Sequence, residues 1–272
     1  MIRVELVKLL RRPRTWVAIL MLNALPTLVA VLLAVTDIGP SPGTGPPFLS
    51  AVLTDGTLFP LAALAIVLPL FLPIAVAVVG GEAIAGEAQT GTLRYLLIRP
   101  VSRTHLLVAK LVSVVVFVLL TVVVVAAVAY VVGALVLGQG TPTAVGVASV
   151  SGTTLTSNEI LLRTLLSLTY VTLSMLGVAA LALLLSTTTD SAIAAALATV
   201  GFLIASTVLL GLDAADALQP WLPTRYWLAF VDLFRDPILW DDVTRGVLLQ
   251  LAYLLVFTVA AWANFSTKDI TS

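Results

Sequence analysis

The chain has 272 residues, 60% of them hydrophobic and only 10% charged, and its mean hydropathy is +1.13. That composition excludes a water-soluble domain, which needs far more charge on its surface. Cysteine is absent, so disulfides, thiolate chemistry and Cys-ligated metals are excluded too, while the formal net charge of zero hides a strong segregation along the chain.

Several apolar runs exceed the roughly 18–20 residues that cross a bilayer core. They are continuous and rich in Val, Leu and Ala, without the alternation of a barrel strand. In lipid, helices and closed barrels alone satisfy their backbone hydrogen bonds internally. The expected fold is therefore an all-α integral membrane protein, one domain over residues 1–272 with six transmembrane helices.

Residues 1–14, MIRVELVKLLRRPR, can place Ile2, Leu6, Leu9 and Leu10 on one helical face, with Arg3, Lys8, Arg11 and Arg12 around the rest. The pattern suits an amphipathic helix in the headgroup plane, with an unstructured basic leader that only sets topology as the alternative. It does not read as a cleaved signal peptide, because the span behind it is too long and lacks a small-residue cleavage site. The first span covers roughly 15–35, with Pro26 as a kink. The Gly- and Pro-rich DIGPSPGTGPPFLS then reads as a loop.

The second span, roughly 58–79, contains Pro60, Pro69 and Pro73, whose interruptions neighbouring helices must accommodate. The third covers roughly 106–137, the fourth 160–185, the fifth 192–212 and the sixth 243–264. A polar linker at 138–159 precedes the fourth span, and STTTDS at 186–191 reads as a tight connection. No internal repeat is visible.

Charge orients this array. With the amino terminus inside, the inner segments hold Arg3, Lys8, Arg11, Arg12, Arg14, Arg94, Arg99, Arg103, Lys110 and Lys268, ten cations against the four at Arg163, Arg225, Arg235 and Arg245. The positive-inside rule thus predicts a cell-membrane protein with both termini cytoplasmic. The spans themselves are nearly free of ionisable groups. Asp190, Lys110 and Arg163 fall near span ends, where long side chains are expected to snorkel. If the protein moves something, its energy is expected to come from elsewhere.

The chain offers little chemistry of its own. It has one histidine, His105, and no HExxH, GxSxG or phosphate loop; GEAQTG at 86–91 is followed by Thr92 and Leu93, where a phosphate loop needs lysine and a hydroxyl residue. No catalytic residue, metal site or cofactor is expected on it, and no nucleic-acid partner.

The polar stretch GGEAIAGEAQTGTLRYLLIRPVSRTHLLVAK, residues 80–110, separates the second and third spans. Glu82 to Ala88 can continue the second span as helix, with Gly86 and Gly91 as weak points. Thr92 to Ile98 again suits a helix, with Leu93, Leu96 and Leu97 forming an apolar strip beside Arg94, until Pro100 stops it. Ser102 can cap the third span. The product is a short amphipathic helix between two membrane helices, either a mechanical contact for a partner or a helix lying on headgroups.

This stretch resembles the loop between the second and third spans of ABC-2 type transporter permeases. The resemblance rests on Glu82 and Glu87, Gly91-Thr92-Leu93, Pro100 with Ser102-Arg103, and Lys110, and on the whole-chain layout of six spans and a basic start. It implies a permease subunit whose 80–105 loop docks on a separate ATP-binding subunit, with ATP and Mg on that partner. The docking residues would be Glu82, Glu87, Gly91, Thr92, Leu93, Arg94, Leu96, Leu97, Arg99, Pro100, Ser102 and Arg103. A second permease copy or a similar chain would complete the transporter. Export of a hydrophobic or amphipathic substrate is expected. The alternatives are a non-transporting scaffold or immunity-type membrane protein and a membrane-embedded lipid-modifying enzyme, the last disfavoured because no catalytic cluster is found.

Before the last span, DAADALQPWLPTRYWLAFVDLFRDPILWDD interleaves aromatic residues with Asp and Arg. Short helices at the outer interface suit this pattern. The same resemblance implies an outer gate built on Trp221, Pro223, Arg225, Tyr226 and Trp227; a plain aromatic belt is the alternative.

Overall fold

A computed structural model of the chain describes residues 1–36, 48–49, 51–53, 55–92, 102–138, 147–148 and 154–267. Its regular structure is helical apart from one two-residue antiparallel pairing, β1 (Val147–Ala148) with β2 (Thr154–Leu155), inside the polar linker. Helix α1 (Ile2–Arg11) ends at Arg12, whose extended backbone turns the chain into α2 (Pro13–Thr36). Proline is tolerated there because the first helical residue needs no backbone donor. Helices α3 (Phe59–Val67), α4 (Phe71–Glu82) and α5 (Ala85–Gln89) follow, then α6 (Arg103–Val132), α7 (Ser157–Thr188), α8 (Ala192–Leu210) and α9 (Trp240–Thr267).

Among the described residues, five helices are long and apolar enough to cross a membrane, and a sixth crossing is obtained if the pair at 56–67 and 71–82 counts as one. This is a multi-pass helical membrane protein. The pair is bent by 61°. Sequence anticipates interruptions at Pro60, Pro69 and Pro73; the break falls at residues 68–70, and α3 is wrapped by the other helices, with every residue except Ile66 buried. Backbone that breaks its own ladder at membrane depth is tolerated where protein surrounds it.

The span ends also differ from the hydropathy reading. Helix α7 continues to Thr188, so three residues of the expected STTTDS connection are helical, whereas α6 reaches the expected end at Leu137 through a π-helical turn over Gly133–Leu137. Hydropathy ends the span at the unbroken hydroxyl run that starts at Ser186, whereas Ser and Thr can stay helical by bonding back to a carbonyl one turn earlier, as Thr187 and Thr188 do to Leu184 and Leu185.

Small residues set the close crossings. A Cβ on Gly80 would lie 2.6 Å from the Ala182 Cβ, and one on Gly81 2.9 Å from the Ala196 backbone nitrogen. Helix α4 thus presses its last turn directly onto α7 and α8, the packing mode open to membrane helices that gain nothing from water exclusion.

Candidate functional site: a buried charge cluster at the α1 end

The tight seat of Gly80 and Gly81 decides where the polar stretch begins. At Ala83 and Ile84 the helix breaks, which orphans backbone donors at the start of α5. Ser186 at the end of α7 resolves this. Its Oγ accepts from the Ile84 and Ala85 amides at 3.0 and 2.8 Å and donates to the Gly81 carbonyl at 2.7 Å. The α4–α5 corner is therefore pinned to α7 by one fully buried hydroxyl.

From that corner α5 points Glu87 into the protein. Glu87 is buried, and its Oε1 accepts from Lys110 Nζ of α6 and from Lys8 Nζ of α1, each at 2.5 Å. Lys110, only 3% exposed, donates as well to Glu5 Oε2 of α1 at 2.8 Å. The snorkelling expected of Lys110 is thus corrected: its ammonium turns inward, because two buried carboxylates offer a better partner than the interface. The cluster balances two cations with two anions. Burial pushes the Glu87 carboxyl up, but the Lys110 charge and hydrogen bond, with those of Lys8, outweigh it and hold the group below the ordinary 4.5.

A group held below its ordinary value contributes stability that is present above that value and lost as pH falls through the lowered one. We expect the thermal midpoint of the detergent-solubilised chain to drop as pH is lowered from about 5, and Glu87→Gln to flatten that drop. An equal acid slope in both proteins would place the loss elsewhere.

The remaining docking residues sort clearly. Glu82 pairs with Arg14 at 3.2 Å on the exposed rim, so both acids of the loop brace against the basic amino-terminal segment. Gly91, with φ at +71°, ends α5 in the left-handed conformation that glycine adopts without cost, and Thr92 Oγ1 closes back on the Glu87 carbonyl at 3.3 Å. Ser102 caps α6 by accepting from the His105 amide at 3.3 Å. Arg103 Nη1 donates to the Phe265 and Ser266 carbonyls, both at 3.1 Å, and so serves the carboxyl end of α9. Leu93, Arg94, Leu96, Leu97, Arg99 and Pro100 lie outside the described residues. Glu5 is the member that sequence reasoning missed; an acid at i−4 from Leu9 on the inward face was the available signal.

At the opposite end, residues 213–239 form two three-residue 3-10 turns, an eight-residue 3-10 helix (Trp227–Phe234) and connecting turns, all suspended from α7 and α9. Tyr170 donates to the Tyr226 carbonyl at 2.6 Å, Gln250 to the Pro223 carbonyl at 2.7 Å, and Tyr253 to the Trp221 carbonyl at 2.5 Å. Arg163 Nη1 donates to the Leu233 and Arg235 carbonyls at 3.1 and 2.8 Å. Arg163 is buried, so it too departs from the expected snorkelling. Tyr226 and Trp227 are buried, Trp221 is exposed, and the Arg225 guanidinium sits 5.7 Å over the Tyr226 ring. Among the described residues, no group of three or more His, Asp or Glu side chains is placed to hold a metal ion.

A family model described as "Protein of unknown function (DUF2705)" matches residues 17–271. No curated protein matches the chain.

Proposed function

We propose that this chain, which belongs to the DUF2705 family, is the permease subunit of an ATP-driven ABC transporter, with six spans and both termini in the cytoplasm. The observation that carries the reading is the buried Glu87–Lys110 pair. It fastens the polar segment leaving α4 to α1 and α6, instead of leaving that segment loose on the headgroups. A load applied just beyond Thr92 therefore passes to the membrane helices α4 and α6 and to the amphipathic α1 at once.

An ATP-binding subunit would deliver that load by burying Leu93, Leu96 and Leu97 of the 92–98 stretch. Because Arg103 is committed at least in part to α9, Arg94 and Arg99 are the better candidates to pair with acids on the partner. ATP and Mg belong to that partner, and a second copy of the chain or a similar one completes the transporter. The bond from Arg103 to the end of α9 supports a common side for both termini, and the charge segregation supports the cytoplasm as that side. Export of a hydrophobic or amphipathic substrate fits span faces that carry almost no ionisable group. In the distal segment, Trp221, Pro223, Arg225, Tyr226 and Trp227 would form the outer gate, moving together with α7 and α9 to which their backbone is tied.

The test is a mild-detergent pull-down of the tagged chain from its native membrane, with mass spectrometry of co-purifying proteins. An ATP-binding subunit is expected, and Leu93→Asp with Leu97→Asp is expected to abolish its recovery while the variant still purifies as a folded membrane protein. Isolation with partners that bind no ATP would defeat the reading in favour of a scaffold.

A further inference from the structure

The flank between α2 and α4 carries a groove of about 390 Å³ that borders the charge cluster through Leu9, Arg12, Val79 and Glu82 and lies away from the distal segment. Its walls are apolar, with Ala18, Met21 and Leu22 of α2 facing Phe71, Ala75 and Val78 of α4. Its mouth, at the α1 end, is polar and lined by Arg12, Arg14, Thr15 and Glu82. Thr15 is occupied with the Leu9 carbonyl at 2.8 Å. Arg14 touches Glu82 at 3.2 Å, yet its side chain remains 80% exposed. Arg12 is exposed and has no ion-pair partner among the described residues. The mouth therefore holds two cations against one acid, while Lys8 in the open recess beside it is balanced by Glu87.

Depth is the second argument. Helix α4 has 12 residues from Phe71 to Glu82, a rise of roughly 16–18 Å at 1.5 Å per residue. Half of a bilayer's hydrocarbon core is about 15 Å. The groove thus starts at the interface and stops near the midplane, where the 61° break turns α3 away into the bundle. A second copy of the chain would cover a helix face along its length, not a slot that ends half way. A slot one leaflet deep, apolar inside and cationic at its mouth, is complementary to an acyl chain hanging from a phosphate.

We infer that the groove between α2 and α4 binds one acyl chain of an anionic phospholipid from the leaflet on the α1 side, with its phosphate on Arg12 and Arg14. The site does not depend on the transport reading; only calling that leaflet cytoplasmic rests on it.

The test uses the purified full chain in a neutral detergent, titrated with phosphatidylglycerol and separately with phosphatidylcholine, and native mass spectrometry to count bound lipid. The first phosphatidylglycerol is expected to bind about tenfold more tightly than phosphatidylcholine, since each basic side chain near the headgroup adds several-fold. Arg12→Gln with Arg14→Gln should erase that preference. Val78→Trp, at a position already 42% exposed, should fill the slot and remove the first binding event with both arginines intact, and Ala75→Trp gives an independent filling variant. Glycerol phosphate competing as well as the lipid would overturn the site in favour of free phosphate. Equal affinity for the two lipids, or binding that survives both tryptophan variants, would reduce it to ordinary surrounding lipid.

Discussion

Lys110→Met is expected to destabilise the folded chain by about 3–5 kcal/mol, the cost of removing one partner from a buried ion pair and stranding the other. The larger part of the loss falls on Glu5. Glu87 keeps Lys8 after the substitution, but Glu5 has no other cation among the described residues. Adding Glu5→Gln should therefore restore part of the stability, because a buried neutral amide is far cheaper than a buried unpaired carboxylate. Arg14→Ala provides the contrast. Its pair with Glu82 is exposed on the arginine side, and such pairs are worth about 0–1 kcal/mol. Thermal unfolding of the three variants in detergent, followed by size-exclusion fluorescence, ranks them. Lys110→Met unfolding within a degree of Arg14→Ala would mean that water reaches the cluster and that α5 is not anchored through it.

The same variant bears on function. Should the α5 segment transmit force, Lys110→Met loosens the joint while leaving Leu93, Leu96 and Leu97 untouched. An ATP-binding partner would then still be recovered, in contrast to its loss in the Leu93→Asp and Leu97→Asp protein. The two substitutions separate docking from transmission.

Much of this architecture was legible in the sequence, and the limit is physical. Long runs of Val, Leu and Ala must be helices in lipid, so α2, α6, α7, α8 and α9 follow from hydropathy with only their ends displaced. Ser102 is legible as a cap because capping is a relation between neighbours three residues apart. Glu5, Lys8, Glu87 and Lys110 are not legible as a cluster, since their pairing spans 23 to 105 residues and no local pattern encodes it. Ser186 is hidden for the same reason. It reads as one hydroxyl of a polar connection, yet it satisfies an orphaned corner 101 residues earlier. The inward turn of Lys110 and Arg163 is missed because snorkelling is the default only where no buried acceptor lies within reach.

Arg163→Met is expected to loosen the distal segment selectively. The eight residues Trp227–Phe234 form a 3-10 helix, long for a geometry whose hydrogen bonds are poor and whose runs usually stop at about three or four residues. External support is therefore needed, and its carboxyl end has it in the Arg163 guanidinium, which caps the Leu233 and Arg235 carbonyls as a cation favours a helix terminus. Hydrogen bonds to a charged group contribute about 1.5–3 kcal/mol each, so losing them should raise local opening at least about tenfold. Hydrogen–deuterium exchange of the detergent-solubilised chain reads this directly. Faster uptake is expected across 227–239, with α3 and α4 unchanged, because those helices touch neither carbonyl. Tyr253→Phe, which removes a single tether from the exposed Trp221 end, should produce a smaller rise confined to the residues around 221. Unchanged exchange across 227–239 in Arg163→Met would assign the segment's order to the buried side chains of Phe230, Leu233 and Phe234 alone, and the arginine would then be a passenger of the packing rather than its clasp.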